Sequence, residues 1–249
     1  MRAIKYHFIL FALFIIFIIV RLIGISDTPL TLWQDIYWGN FVKNSFFLIG
    51  ASALLYFGFN TVRRQPKAGP RVLSSKALKL ILYPTLILAW LAVVNHAFFD
   101  SFKKLIPFKL LPVYQFSDFM DETISHIFIY LPFTVIFLIL SFLEIERPLT
   151  KSLKKSEIIF ISILSAFMGI FWGLNLTEGR LAFATSFPAM LISLILTLYL
   201  IKKHKLNLRT RPWNLTAIIL ASTSAISLTV WNLIFQSTPE LFAILKWSF

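Results

Sequence analysis

The chain of 249 residues contains no cysteine. Disulfides, thiolate nucleophiles, cysteine-ligated zinc and iron–sulfur clusters are therefore excluded as sources of stability or chemistry. Charge is also scarce: only 14% of residues are Asp, Glu, Lys or Arg, where a globular domain carries about 25%. Acids are the scarcer sign, 11 against 24 basic residues, and there are only four histidines. No interior repeat stands out. No small-x-small cleavage site precedes Arg21, and the apolar region of Met1–Val20 is too long for a signal peptide, so a retained first span is expected.

Apolar side chains take the place of the missing charge: 58% of the residues are hydrophobic and 27 are Phe, with a mean hydropathy of +0.79. A core in water cannot absorb that much apolar surface, so lipid is the expected solvent. In hydrocarbon every backbone polar group must be satisfied within its own element, which leaves helices or a closed barrel. Uninterrupted apolar runs of about 20 residues select helices over alternating ten-residue strands. Seven spans follow: Phe8–Ile25, Ser45–Val62, Leu78–Ala97, Ile124–Leu143, Glu157–Asn175, Phe183–Ile201 and Asn214–Phe235. The expected fold is all-α, a single polytopic membrane domain over residues 1–249.

The net charge of +13 sits between apolar runs, which is a pattern of membrane orientation and not of nucleic-acid binding. Counted by loop, 17 Lys and Arg fall on the side of the amino terminus and 7 on the other, while eight of the eleven acids fall opposite the basic side. The rule that cytoplasmic loops are positive places the amino terminus in the cytoplasm and the carboxyl terminus outside, in a plasma (inner) membrane. Residues 98–120, with Phe98, Phe99, Phe102, Leu105 and three lysines interleaved, read as an interfacial or re-entrant segment, and residues 241–249 as an interfacial tail. Trp33, Trp38, Trp172, Trp213 and Trp247 fall near span ends, as an aromatic belt requires.

Ionisable groups gather at one place, Asp118–Tyr130, with three acids and a histidine in about two helical turns. Glu122 and His126 are spaced i, i+4, as are His96 and Asp100 at the end of the preceding span, so each pair projects from one helix face. His96, Asp100, Glu122 and His126 together make a candidate divalent-metal set, zinc being favoured by imidazole, with Glu122 and His126 as candidate catalytic residues. Capping offers a second account. Asp118 stands where an N-cap would, and Asp121 and Glu122 where first-turn acids favour the positive helix end. His96 and His126 would then be interfacial histidines. Ionisable groups at membrane depth are rare and functional by default.

Elsewhere the polar residues have plain readings. The small run Ser222–Ser227 suits close helix packing, with no base nearby to make a nucleophile of a serine. Glu178 and Arg180 are solvated neighbours in a tight turn, and Asn175 is an interhelical amide. The loops Arg63–Arg71 and Lys202–Arg211 can attract anionic lipid headgroups at about 1 kcal/mol per basic residue.

From Asp121 onward the order of motifs resembles the CPBP family of CAAX-protease and bacteriocin-processing intramembrane proteins. Asp121-Glu122-x3-His126 stands at its EExxxR motif, Phe167-x3-Phe171 at its FxxxH and Ser222-x3-Ile226 nearest its last motif. The arginine is replaced by His126, and both later histidines are missing. The resemblance implies a helical bundle with a membrane-embedded site around Glu122. Glu122-x3-His126-x3-Tyr130 is also similar to the D-x3-H-x3-Y span opening of VanZ-like membrane proteins.

Three functions are compatible with these readings. The first is a non-enzymatic subunit, scaffold or lipid-interacting component of a membrane assembly, since no complete catalytic set is visible. The second is a membrane-embedded hydrolase with a metal-bound water as nucleophile and Glu122 as general base. The third, a small-solute transporter, is least favoured because the span centres carry no ionisable residue.

Overall fold

A computed structural model describes residues 5–7, 9, 12–13, 16, 29–30, 33–177 and 182–235. Residues 5–7, 9, 12–13 and 16 are helical; after them, among the described residues, one short antiparallel pairing, β1 (Pro29–Leu30) with β2 (Trp33–Tyr37), precedes seven α-helices. These are α1 (Trp38–Arg63), α2 (Ser75–Lys104), α3 (Pro112–Asp118), α4 (His126–Glu146), α5 (Lys155–Asn175), α6 (Ala182–Lys203) and α7 (Pro212–Phe235). A π-helical turn, Phe119–Ser125, joins α3 to α4 without a break. The described residues thus form the helical fold expected.

Among the described residues five helical segments are long and apolar enough to cross a membrane: Ser75–Lys103, Pro112–Glu146, Lys155–Leu174, Thr185–Lys203 and Pro212–Phe235. They overlap the last five expected spans, two of which, Glu157–Asn175 and Phe183–Ile201, overrun them by one or two residues. The second expected span lies inside α1, and the first falls mostly outside the described residues, as does the 241–249 tail. Residues 98–120 do not form one separate element. Their first part continues α2 to Lys104, a turn follows, and α3 begins at Pro112, with the exposed Phe108 and Leu110 between.

Local chemistry explains the helix ends. Ser74 Oγ accepts from Ala77 N at 3.0 Å to cap α2. Glu157 Oε2 reaches back to Lys154 N at 2.7 Å at the start of α5. Pro212 opens α7, where a missing N–H costs nothing. At the end of α4, Arg147 leaves the helical region because Pro148 follows it. Its guanidinium then donates to the carbonyls of Arg63 and Gln65, at 2.7 and 2.8 Å, satisfying the end of α1.

Helix α4 is the hub, packing against α1, α2, α6 and α7, and α5 packs most extensively on α7. The α4 core residues Ile136, Leu140 and Leu143 are buried with Leu55 and Phe59 of α1 and Leu78 and Leu82 of α2. Between α5 and α7 the backbones nearly touch. A Cβ added to Gly169 would lie 2.0 Å from Thr223 Oγ1, and one on Gly173 would lie 2.4 Å from the Ser224 carbonyl. Ser224 Oγ donates to the Gly169 carbonyl at 2.7 Å. The small run 222–227 therefore serves packing, as expected of small-xxx-small helix contacts.

Outward faces are apolar at helical spacing: Leu80, Ile87, Leu91 and Val94 on α2, Ile159, Ile163, Phe167 and Ile170 on α5, and Ile226, Val230 and Leu233 on α7 are all exposed. Water does not tolerate continuous apolar faces of that extent, whereas lipid tails do. Trp213 is a correction to the aromatic-belt reading. It is 1% exposed and packs against Phe137 and the ring of His7, so it belongs to the core. Trp172 likewise lies edge-on against Tyr130 and Phe133.

Candidate functional site

The last turns of α2 carry His96, Asp100 and Lys103 at i, i+4 and i+7, on one face. Opposite them stands the π-helical turn. Its i→i+5 ladder makes a wider turn than an α-helix, so successive side chains diverge less in direction. Asp121 and Glu122, neighbours in sequence, can therefore both reach one amine. Lys103 Nζ lies 2.5 Å from Asp121 Oδ2 and 2.7 Å from Glu122 Oε1, with Asp118 at 3.8 Å and Asp100 at 3.9 Å.

Asp121 has a second partner. Its Oδ1 is 2.5 Å from His96 Nδ1, so the carboxylate, fully buried, is shared between an imidazole and an ammonium. A carboxylate taken out of water is tolerated only with such pairing. Next to this pair Asn95 donates to Ser125 Oγ at 2.7 Å and to the Met120 carbonyl at 3.1 Å, tying α2 to the backbone of the π turn. His126 Nδ1 lies 3.1 Å from the Glu122 carbonyl, a contact that requires the Nδ1–H tautomer in the neutral ring. The His96 and His126 rings meet edge to face at 5.0 Å, and His126 stacks on Tyr130.

The structure thus brings His96, Asp100, Glu122 and His126 to one end of the bundle, but it aims their donors at protein groups. His96 faces Asp121, Asp100 faces Lys103, and His126 faces a backbone carbonyl. Among the described residues no group of three or more His, Cys, Asp or Glu is arranged to hold a metal ion. The N-cap reading of Asp118 needs correction. Asp118 has helical φ and ψ within a helix that begins at Pro112, so it caps nothing.

Lys103 is the residue that sequence reasoning misses, since it counts there only as one of the lysines of an interfacial segment. Its spacing after His96 and Asp100 is the available signal. Glu178 and Arg180 lie outside the described residues, and nothing is described of the Asn175 side chain.

A second polar cluster stands at the other end of α4. Glu144, 1% exposed, accepts from the backbone N of Asn214 at 2.8 Å and from its Nδ2 at 3.0 Å. The carboxylate thereby occupies the N-terminus of α7, where unsatisfied N–H groups and the helix dipole favour an anion. Asn214 Nδ2 also reaches the Ser141 carbonyl at 3.2 Å. Burial pulls the Arg211 guanidinium below its ordinary value, and the Glu144 charge opposes that shift.

Around this end the basic loops are joined by backbone hydrogen bonds, Leu149 N to Thr210 O at 2.8 Å, Leu153 N to Arg209 O at 2.7 Å, and Ala68 and Gly69 N to the Glu146 carbonyl. Arg64, Arg71, Lys151, Lys154, Lys202 and Arg209 are exposed on it. No protein-family model, curated protein or solved structure matches this chain.

Proposed function

We propose that the chain is a seven-span integral membrane protein of the plasma (inner) membrane, amino terminus in the cytoplasm, acting as a non-enzymatic subunit or scaffold of a membrane assembly. The observation that carries the reading is Lys103. Acids that could have served a metal or a substrate are drawn onto its ammonium, so the cluster works as a clasp between α2 and α4. The basic face formed by the joined loops is the partner surface for anionic lipid headgroups, each exposed Lys or Arg contributing about 1 kcal/mol near an anionic leaflet. The test is to purify wild type and His126→Ala in detergent and compare folded yield, thermal unfolding and the size of the native particle. This reading expects an assembly larger than the 28.8 kDa chain, with changes in assembly that follow changes in stability.

A second reading rests on the His96–Asp121 pair. A buried carboxylate that fixes Nδ1 of a partly exposed imidazole leaves Nε2 available as a general base, the arrangement used in hydrolytic enzymes. The similarity of the Asp121–His126 motif to CPBP and VanZ-like proteins favours it as well. In that case His96→Ala abolishes a hydrolytic activity while the protein remains folded and membrane-bound.

A further inference from the structure

The seam between α1 and α2 has a polar rim at the end of the bundle that carries the basic loops. Leu55, Phe59 and Val62 of α1 are buried in one cluster with Leu78 and Leu82 of α2. The residue after each of these positions turns toward the rim of the seam, and there the side chains change character. On α1 they are Tyr56, Asn60 and Arg63, spaced i, i+4, i+7, and on α2 Lys79 and Tyr83, spaced i, i+4. The two rows meet. Tyr56 and Tyr83 have ring centroids 6.3 Å apart, and the Tyr56 hydroxyl is hydrogen-bonded to the side chains of Asn60 and Tyr83. The charges of Lys79 and Arg63 both reach the Tyr56 phenol.

This rim has the chemistry of an anion site. Residues 41–99 contain no Asp or Glu, so neither helix supplies a carboxylate to Arg63 or Lys79 here. The acids of α4 at this end are engaged elsewhere, Glu144 by the start of α7 and Glu146 by Lys67 at 3.2 Å. Two cations, two phenols and an amide are together the donors that phosphate oxygens accept from. Tyr83 lies about 12 Å along α2 from Ser75, and Tyr56 about 10 Å before the end of α1. Tyrosines and long basic side chains reach the membrane–water interface from such positions. Further along α2, the exposed side chains in line with Tyr83 are Ile87, Leu91 and Val94, an apolar track beneath the polar rim. A free phosphate would use the rim alone, whereas a phosphate ester carrying acyl chains fits both parts.

We propose that the α1–α2 rim binds one anionic phospholipid. Its phosphate sits among Arg63, Lys79 and the Tyr56 and Tyr83 hydroxyls, and an acyl chain lies along Ile87, Leu91 and Val94. A zwitterionic lipid brings an amine that meets two cations and no carboxylate, so the site selects headgroups of net negative charge. The inference rests on the proposed placement of this end of the chain at a lipid headgroup surface, and narrows that partner from a charged leaflet to one bound molecule.

The experiment titrates the full chain in detergent with phosphatidylglycerol or phosphatidylcholine and counts bound lipids by native mass spectrometry. Wild type should hold one phosphatidylglycerol about tenfold more tightly than phosphatidylcholine, the effect of two cations beside an anionic headgroup. Arg63→Gln/Lys79→Gln should lose that preference. Tyr56→Phe/Tyr83→Phe is a second arm, which keeps both rings and removes only the hydroxyls, and it should weaken phosphatidylglycerol binding several-fold. Circular dichroism reports folding of each variant. Wild type without a preference overturns the proposal, as does a folded variant of either kind that binds as wild type does. Displacement of the lipid by inorganic phosphate at equal concentration overturns it in favour of a free-phosphate site. Lys151→Gln/Lys154→Gln tests the basic loops separately, and a loss confined to that variant moves the lipid to the loops and overturns the rim site alone. Wild type that fails to float with phosphatidylglycerol vesicles overturns the proposal and the membrane reading together.

Discussion

The buried Asp121 carboxylate and the Lys103 ammonium, 2.5 Å apart, join the end of α2 to the π-helical turn that leads into α4. The pair is short and largely shielded from water, and its loss is therefore asymmetric. Lys103→Met leaves Asp121 buried with only His96, and we expect a loss of about 3–5 kcal/mol. Adding Asp121→Asn to that variant should recover much of the loss, because no uncompensated charge then remains. Unfolding in detergent, followed by circular dichroism, measures both. Equal stability of Lys103→Met and wild type would sink the clasp.

The same ammonium opposes a divalent cation at the centre of the acids, since like charges a few ångströms apart repel strongly in a low dielectric. Chelation should leave the unfolding midpoint of the purified protein unchanged, and elemental analysis should find no stoichiometric metal. One equivalent of zinc, lost in His96→Ala/His126→Ala, would establish the metallohydrolase reading in its place.

Gly169 and Gly173 admit no side chain without moving α7. Gly169→Val should destabilise the bundle by about 1–3 kcal/mol through overpacking. Ser224→Ala, which removes one interhelical hydrogen bond, should cost only about 0.6 kcal/mol. The ratio of the two, read from unfolding in one detergent, separates close backbone approach from polar bonding as the cause of this contact.

At the opposite end of α4, Glu144→Ala removes the acceptor for the first turn of α7. The expected cost is about 1–3 kcal/mol, that of leaving buried donors unpaired. Hydrogen exchange should quicken at Trp213 and Asn214 first. Uniform loss of protection along α7 would mean that Glu144 acts on global stability and not on the helix start.

The absence of cysteine makes orientation directly measurable. Single substitutions Lys109→Cys and Lys151→Cys, at exposed positions, can each be labelled with a membrane-impermeant maleimide on intact cells. The proposed orientation expects the Lys109→Cys variant to be labelled from outside, and the Lys151→Cys variant only after permeabilisation. The reverse pattern inverts the topology.

Some of this was legible from the residues alone. Apolar runs of about 20 residues, broken by clusters of Lys and Arg, determined the helical class and the approximate places of five membrane-length segments, because hydrocarbon forces each backbone to satisfy itself within its own run. The i, i+4 spacing also put His96 with Asp100, and Glu122 with His126, on shared faces. The small run Ser222–Ser227 was enough to imply close packing, though not that Gly169 and Gly173 of α5 are what it packs on.

Tertiary structure decided what those faces meet. A π turn cannot be recognised from composition, yet it allows Asp121 and Glu122 to share Lys103, a partner that the spacing of the candidate site residues did not indicate. Trp213 passes for an interfacial residue until α1 and α4 enclose it. Glu144 looks like one loop acid until the start of α7 is placed against it. In each case the sequence specified the side chain and its helix face, while the partner came from another helix many residues away, and periodicity within one segment carries no information about that.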